Sequence, residues 1–554
     1  MTVANPAISD PASRKLGNIS PETWVLLAIF GVAALQFAQI FTRSINWDEF
    51  GHYNHIVQLQ SGQLAQVLQR FHAFAYGWAT ALTGGPIDHI IAIRLAMFAC
   101  ELVAVTAIVG VASRFTDRLP ALLCGLAYLS FGYVFQYGTS FRYDPPLAAA
   151  LMGLIWLLLR SDLNVRAIAG AGLLIALLPF ISMKAVLYAP AVAGVAYLRW
   201  AEHGFGTRYP MRLTVLGAVA AIWFAALFLL FTQWTAAFGG SEDTLSAEQA
   251  AEAVFVLFDN PNWSRMLRGA LTNPLVTLLL LAFPLVLTRT TRPLPEKVAL
   301  AGLFAIILTP LVYINTAPYY FVFMLAPVLA ACGPVMALAL SRISAAIIAL
   351  VLLAGTGMTV LSEEPSALSR QRELHAGSIA TFGEEVRYFD FPGFLGTAGK
   401  ANAFLSPLVV SVHNREGRLM LRPAMEQNAV PLVIANNFIL ENALDESAVQ
   451  YLQPADAVAL RENYVPFWGP LWIAGRDIPA DRAIVYRNLV PGTFTVHGNT
   501  IVLDGERIPA GETVKLERQT YRLEAPDGAA RLLWGDRIEA PAAAPPAPPY
   551  WQHF

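Results

Sequence analysis

Thr23–His55 reads TWVLLAIFGVAALQFAQIFTRSINWDEFGHYNH. Its first part, Thr23 to Phe41, is apolar and long enough to cross a lipid bilayer, which takes about 20 residues. Its second part, Ser44 to His55, crowds two acids, two histidines and the interface-type aromatics Trp47 and Tyr53 into a dozen positions. That contrast decides the fold class, because only 14% of the 554 residues are charged while 56% are hydrophobic. A soluble domain is about a quarter charged. The chain therefore reads as a polytopic helical membrane protein, and the polar cluster marks where lipid gives way to water.

Working outward, about eleven apolar runs are candidate spans. They lie near 23–41, 87–112, 119–137, 144–160, 166–181, 184–199, 211–232, 271–289, 297–314, 318–340 and 343–361. The segment before them, 1–22, is polar and unlike a signal peptide, so an uncleaved first helix with a cytoplasmic tail is expected. With Arg14 and Lys15 placed inside, the inner connections carry Arg114 and Arg118; Arg160 and Arg166; Arg199, Arg208 and Arg212; Arg289, Arg292 and Lys297; and Arg342. Each is short and basic, as the positive-inside rule requires. The outer connection Gly239–Asn260 is acidic instead. This topology predicts a membrane domain over 23–361 with long outer loops at 42–86 and 233–270, and places everything after it outside the inner (plasma) membrane, in a periplasmic or extracellular compartment.

The outer C-terminal part is expected to be mixed α/β over 362–482, with strands at PLVVSVHN (407–414) and VPLVIANN (430–437) and helical spacing at ENALDESAVQYLQ (441–453). From Ala483 short alternating strands punctuated by Asp504-Gly505 and Asp527-Gly528 predict a small β-sandwich over 483–538. The Pro/Ala-rich 539–554 reads as a disordered tail. Within 464–475, YVPFWGPLWIAG is rich in aromatics and reads as core packing. The three cysteines, Cys100, Cys124 and Cys332, sit in apolar runs without metal-ligand spacing and read as core residues. No basic tract suits nucleic acid.

Ionisable groups in or beside spans are costly, about 2.5–3.5 kcal/mol at mid-helix on insertion scales, so their placement carries information. Asp48 and Glu49 follow the first span. Arg94 lies early in the second, Arg142 and Asp144 precede the fourth, and Lys184 lies between the fifth and sixth. All fall at one level, near the outer boundary. Glu101 lies two helical turns deeper on the face of Arg94, so a Glu101–Arg94 pair is the plain reading. A carboxylate at such a place can activate a hydroxyl, and Arg and Lys can hold a phosphate.

These residues resemble the GT-C class of membrane glycosyltransferases, closest to its protein O-mannosyltransferase and aminoarabinose transferase branch. The likeness is carried by WDEFGHY in the first outer loop, by IAIRLAMFACELVAVTAIVGVASRFTDR with its early Arg, and by SFRYDPPLAAALMGLIWLLLR with its Arg-x-Asp. LLPFISMKAVLYAPAV with its Lys and the Tyr-rich APYYFVFMLAPVLA complete it, over roughly residues 20–361. The resemblance implies a polyprenyl-phosphate-linked sugar as donor and Asp48 as catalytic base, with Glu49 beside it and Asp144 as a second acid. It implies Arg94, Arg142 and Lys184 as ligands of the donor phosphate. The acceptor, a lipid, glycan or protein, is left open, and so is the role of His52.

Each residue also has a plainer role. Asp48 and Glu49 suit any helix N-terminus, Arg142 could serve only Asp144, Lys184 could snorkel to the interface, and Tyr319 and Tyr320 read as interfacial belt residues. At helical spacing Asp48, His52 and His55 share an arc of about 60°, a set that could ligate zinc. The preferred expectation is that His52, Tyr53 and His55 line the acceptor channel or hold the loop, with no metal and no cofactor. The rival function is a transporter or flippase of a polar glycolipid. Transporters of that kind often carry inverted repeats and midplane sites, whereas no repeat is visible here.

Overall fold

The computed structural model describes residues 20–64, 71–235 and 254–551. Arg14, Lys15 and most of the acidic connection Gly239–Asn260 lie outside the described residues. The N-terminal part is helical: α1 (Pro21–Gln39), α2 (Trp47–Gln60), α3 (Phe71–Ala75), α4 (Pro86–Ala112), α5 (Arg118–Ser130), α6 (Gly132–Tyr137), α7 (Asp144–Arg160), α8 (Val165–Ile181), α9 (Ala189–Glu202) and α10 (Arg208–Thr235). Further helices cover Trp263–Thr272, Pro274–Arg289, Leu294–Phe304, Tyr320–Ala331, Gly333–Leu340 and Ala345–Leu361.

Every expected apolar run is helical, but fewer are unbroken spans than the expected eleven. Among the described residues four helices are long and apolar enough to cross a membrane: Pro21–Gln39, Pro86–Ala112, Arg208–Trp234 and Leu294–Leu311. The number is six if two bent pairs each count as one span: Trp263–Thr272 with Pro274–Arg289, bent by 104°, and Tyr320–Ala331 with Gly333–Leu340, bent by 61°. The breaks have local causes. The run 119–137 is interrupted where Phe131 turns extended (φ −66°, ψ 121°). The run 184–199 opens as a tight 3-10 turn, Met183–Tyr188, before Pro190 restarts it. Pro334 restarts the chain after Cys332 in the same way.

Large apolar side chains such as Phe30 on α1 and Ile222, Leu229 and Trp234 on α10 remain exposed, a surface that suits lipid. Where helices meet closely, small residues permit it. A Cβ on Gly302 would lie 2.3 Å from the Pro190 carbonyl oxygen, and one on Gly194 would lie 2.9 Å from that of Val298.

The C-terminal part begins with a helix, Ala367–Phe382, and continues into two sheets. The strands are β1 (Tyr388–Phe389), β2 (Leu432–Ile434), β3 (Tyr464–Trp468), β4 (Leu471–Ile478), β5 (Ile484–Arg487), β6 (Gly492–His497), β7 (Ile501–Leu503), β8 (Glu506–Ile508), β9 (Thr513–Leu516), β10 (Thr520–Glu524) and β11 (Ala530–Trp534). One sheet runs β1-β2-β4-β11-β6-β9, with β3 also on β4; the other runs β5-β10-β7-β8. Tyr486, Phe494, Val496, Ile501, Tyr521 and Leu523 fill the space between them. The first half of β4 pairs with β2 (Ile473 opposite Leu432) and its second half with β11 (Gly475 opposite Leu533). The sheet therefore runs straight across the expected boundary at 482/483.

Three local expectations are corrected. The stretch 407–414 is a helix, Pro407–Arg415, because Ser406 caps it by accepting from the Val409 amide (3.3 Å) and Pro407 takes the first helical turn. Only the first part of 441–453 is helical, within Phe438–Leu444; Asp445 then turns the chain by accepting from the amide and hydroxyl of Ser447. The Pro/Ala-rich end packs down instead of hanging free. Trp468 Nε1 donates to the Ala543 carbonyl (2.9 Å), and Trp551 buries its ring against Phe50 and Phe394.

The two parts share a core. Ile45, Phe50, Tyr53, Ile56, Ile90 and Ile93 pack with Leu374, Tyr388, Phe394, Leu432, Trp468 and Trp551. Gln371 locks both backbone groups of Ile45: its Oε1 accepts from the Ile45 amide (2.9 Å) and its Nε2 donates to the Ile45 carbonyl (2.8 Å). Thus the C-terminal part fixes where α2 begins.

Candidate functional site

The chain Asn46-Trp47-Asp48-Glu49 starts α2 with a capping box. Asn46 Oδ1 accepts from the Asp48 amide (2.9 Å), and Glu49 Oε2 accepts from the Asn46 amide (2.9 Å). Adjacent acids in a helix point about 100° apart, and here they enter different surroundings.

Glu49 is fully buried and faces Arg94. Its Oε1 accepts from Arg94 Nε (2.8 Å) and from the Phe141 amide (2.8 Å); its Oε2 accepts from Arg94 Nη2 (2.5 Å) as well as from Asn46. Burial raises the Glu49 pKa, but the Arg94 charge, its hydrogen bonds and the two amides outweigh burial, leaving the pKa below its ordinary 4.5. The other Arg94 donors go to carbonyl oxygens of Ile40 (3.3 Å), Arg43 (3.0 Å) and Ser44 (2.8 Å). A guanidinium has five N–H donors, and all five are used. The space beside the pair is about 10 Å³, about one water. Arg94 therefore has neither a donor nor room for a phosphate, and the expected Glu101–Arg94 pair does not form. Glu101 instead lies near the Tyr128 hydroxyl, 3.5 Å away. The Glu49–Arg94 pair is a brace that ties α1, α2, α4 and the Phe141 segment together.

Asp48 turns the other way. It is the acid of this cluster that keeps some exposure, 18% of its side chain, against none for Glu49 and Asp144. Arg142 Nη1 donates to Asp48 Oδ2. The same guanidinium places Nε 3.5 Å from Asp144 Oδ2, and Lys184 Nζ donates to Asp144 Oδ1. The result is an alternating row: Asp48, Arg142, Asp144, Lys184. Burial disfavours the Arg142 charge, but the two carboxylates more than offset this, so its pKa is raised. Unlike Arg94, Arg142 commits only Nη1 to a hydrogen bond among the described residues.

Tyr319 and Tyr320, expected as belt residues, support this row. The Tyr319 ring lies under Arg142, 3.3 Å from Cζ to its centroid, and Tyr320 and Phe323 flank Lys184 at 5.7 and 5.4 Å. Face contact of this kind attracts a cation. The Tyr-rich motif was visible in the sequence, but nothing in it told which cations the rings would meet.

Tyr53 is buried, and its hydroxyl meets His89 Nδ1 at 2.6 Å, while His89 Nε2 lies 3.1 Å from the Leu82 carbonyl oxygen. Tyr53 is thereby tied through His89 to the Leu82 carbonyl, a contact that holds the loop. His52 and His55 meet a third histidine, His72 of α3, which sequence reasoning did not single out. His55 Nδ1 lies 3.2 Å from His72 Nε2. Phe141 and Tyr143, on either side of Arg142, set their rings edge-on to His52 at 5.7 and 4.6 Å. Asp48 lies on α2 at helical spacing from His52 and His55, and its carboxylate accepts from Arg142.

No protein-family model matches the sequence, and among the curated proteins none matches. Among solved structures, chains of ArnT and EmbB are similar at low sequence identity. ArnT from Cupriavidus metallidurans bound to undecaprenyl phosphate matches with a TM-score of 0.43 and 16% identity over 65% of this chain and 66% of that one. Its apo state gives 0.39 and 16% over 65% of each chain. The arabinosyltransferase EmbB from Mycobacterium smegmatis gives 0.39 and 12% over 96% of this chain and 66% of that one. The chain thus spans just under two thirds of the length of each.

Proposed function

We propose that this protein is a membrane glycosyltransferase that moves a sugar from a polyprenyl-phosphate donor to a hydroxyl acceptor, a lipid, glycan or protein, on the outer face of the membrane. The observation that supports it most is the row Asp48–Arg142–Asp144–Lys184, in which one reachable carboxylate stands beside two buried cations. Asp48 takes the proton of the acceptor hydroxyl. The acceptor oxygen then bonds to the anomeric carbon as the carbon–oxygen bond to the phosphate breaks, with inversion. The bonding pair leaves with the phosphate, which gains a negative charge next to Arg142 and Lys184. Asp144 positions those cations and touches no substrate. Glu49 and Arg94 brace the site from behind.

The test is reconstitution in liposomes with labelled polyprenyl-phosphate sugars and candidate acceptors. Transfer that is lost in Asp48→Asn, at unchanged folded protein, supports the proposal. Transfer at the parent rate in that variant overturns it.

A further inference from the structure

We propose that His52, His55 and His72 form a binding site for a divalent first-row transition metal of the zinc class. The nitrogen ligand atoms of the three residues all lie within 4.8 Å of one another. His52 and His55 come from one face of α2 and His72 from α3, so two elements converge on one point. A tetrahedral zinc ion bound at about 2.0–2.1 Å sets two nitrogen ligands about 3.3–3.4 Å apart. The 3.2 Å between His55 Nδ1 and His72 Nε2 already matches that edge. His52 stands at the third corner, its ring 4.8 Å from His72 and 6.2 Å from His55 between centroids, with its ligand nitrogen within 4.8 Å of the other two.

The ligand type selects the ion. Three imidazoles suit zinc, copper or nickel, while calcium and magnesium require oxygen ligands. The rings of Phe141 and Tyr143 wall one side of the cluster, giving it a partly apolar shell of the kind that tunes a metal site. Three protein ligands leave one tetrahedral position for a water or a substrate oxygen. The set does not include Asp48, which is engaged by Arg142. The metal would clip α3 to α2, one helical turn from Asp48. This inference does not depend on the transfer reaction.

Full-length protein carrying no histidine tag is purified in detergent with zinc present, passed through a desalting column, and analysed for metal by mass spectrometry. About one zinc ion per chain is expected, lost in His55→Gln and in His72→Gln and kept in Asp48→Asn. Size-exclusion profiles of the variants check that they fold. A second measurement needs no variant: cobalt exchanged into the parent protein gives the intense visible bands of tetrahedral coordination. Absence of stoichiometric metal, retention of metal in both histidine variants, or octahedral cobalt spectra in the parent would each overturn the proposal.

Discussion

Asp48 and Glu49 are neighbours in sequence and both carboxylates, yet the structure predicts opposite outcomes when each is neutralised. Glu49 takes four N–H donors on two oxygens: Arg94 Nε and the Phe141 amide on one, Arg94 Nη2 and the Asn46 amide on the other. In Glu49→Gln one oxygen becomes an NH2 group that cannot accept, so two donors face a donor in a space that holds about one water. Arg94 also loses its counter-charge while remaining buried. Breaking a buried pair from one side costs about 3–5 kcal/mol, which corresponds to a melting temperature lower by roughly 5 °C or more. Asp48→Asn keeps an acceptor oxygen for Arg142 at a half-buried position, so its cost is about 1 kcal/mol. Its effect falls on transfer, where loss of a general base lowers rate about 10²- to 10⁴-fold.

The assay pairs thermal unfolding of the purified protein, followed by intrinsic fluorescence, with transfer measured per folded molecule. Glu49→Gln should melt early and retain transfer at low temperature; Asp48→Asn should melt near the parent and transfer little. The reverse pattern would refute the assignment of brace and base. The pH dependence supplies an independent check. The folded pKa of Glu49 is lowered below 4.5, so its contribution to stability is present above that value and is lost as pH falls below it through the folded pKa. Stability of the parent should therefore decline more steeply below about pH 4.5 than stability of Glu49→Gln. Parallel pH profiles would remove Glu49 from the account.

Other perturbations follow from the packing. Gly302→Ala places a methyl 2.3 Å from the Pro190 carbonyl oxygen; forcing α9 away from Leu294–Phe304 should cost about 1–3 kcal/mol, read as a lower melting temperature, whereas the open-faced Gly217→Ala should cost little. Trp551→Ala removes a buried ring from Phe50 and Phe394 and a hydrogen bond of 2.5 Å to the Asn436 carbonyl. It should cost about 3–5 kcal/mol, and unchanged proteolysis of the C-terminal end would show that the end does not dock.

The parts of the fold that were legible in the sequence depend on one-dimensional signals. Apolar run length located the long apolar helices of the membrane domain, because burial in lipid needs continuous apolar stretches, but not α2, α3 or Trp263–Thr272. It overcounted unbroken spans, because Phe131, Pro190 and Pro334 interrupt helices without interrupting hydrophobicity. In the C-terminal part alternation located the late strands, but Ser406-Pro407 was a start signal for a helix that an apolar run disguised as a strand. At the site, shared depth brought Asp48, Arg142, Asp144 and Lys184 to one level, and the structure joins them. Depth could not assign Arg94, since its partner is chosen by the direction of Glu49 on α2. Asn46-x-x-Glu49 was the available clue: a capping box commits the Glu side chain to its own helix start. His72 carried no such clue, because its distance in sequence from His55 obeys no ligand spacing.

The two environments also bear on how one site could serve both a base and a leaving group. Asp48, Arg142, Asp144 and Lys184 carry two negative and two positive charges, so the row is neutral at rest. When Asp48 accepts the acceptor proton as proposed, the row becomes positive by one charge at the step in which the departing phosphate becomes more negative. In a partly buried setting that change acts through a lower dielectric than water and is worth correspondingly more. The same proton placed on Glu49 would leave Arg94 uncompensated in a closed pocket, where no leaving group can profit from the charge. In the proposed mechanism, two adjacent carboxylates with separated surroundings thereby divide structural and chemical duty. That division turns on the orientation of α2, which the capping box and the hold of Gln371 on Ile45 jointly set.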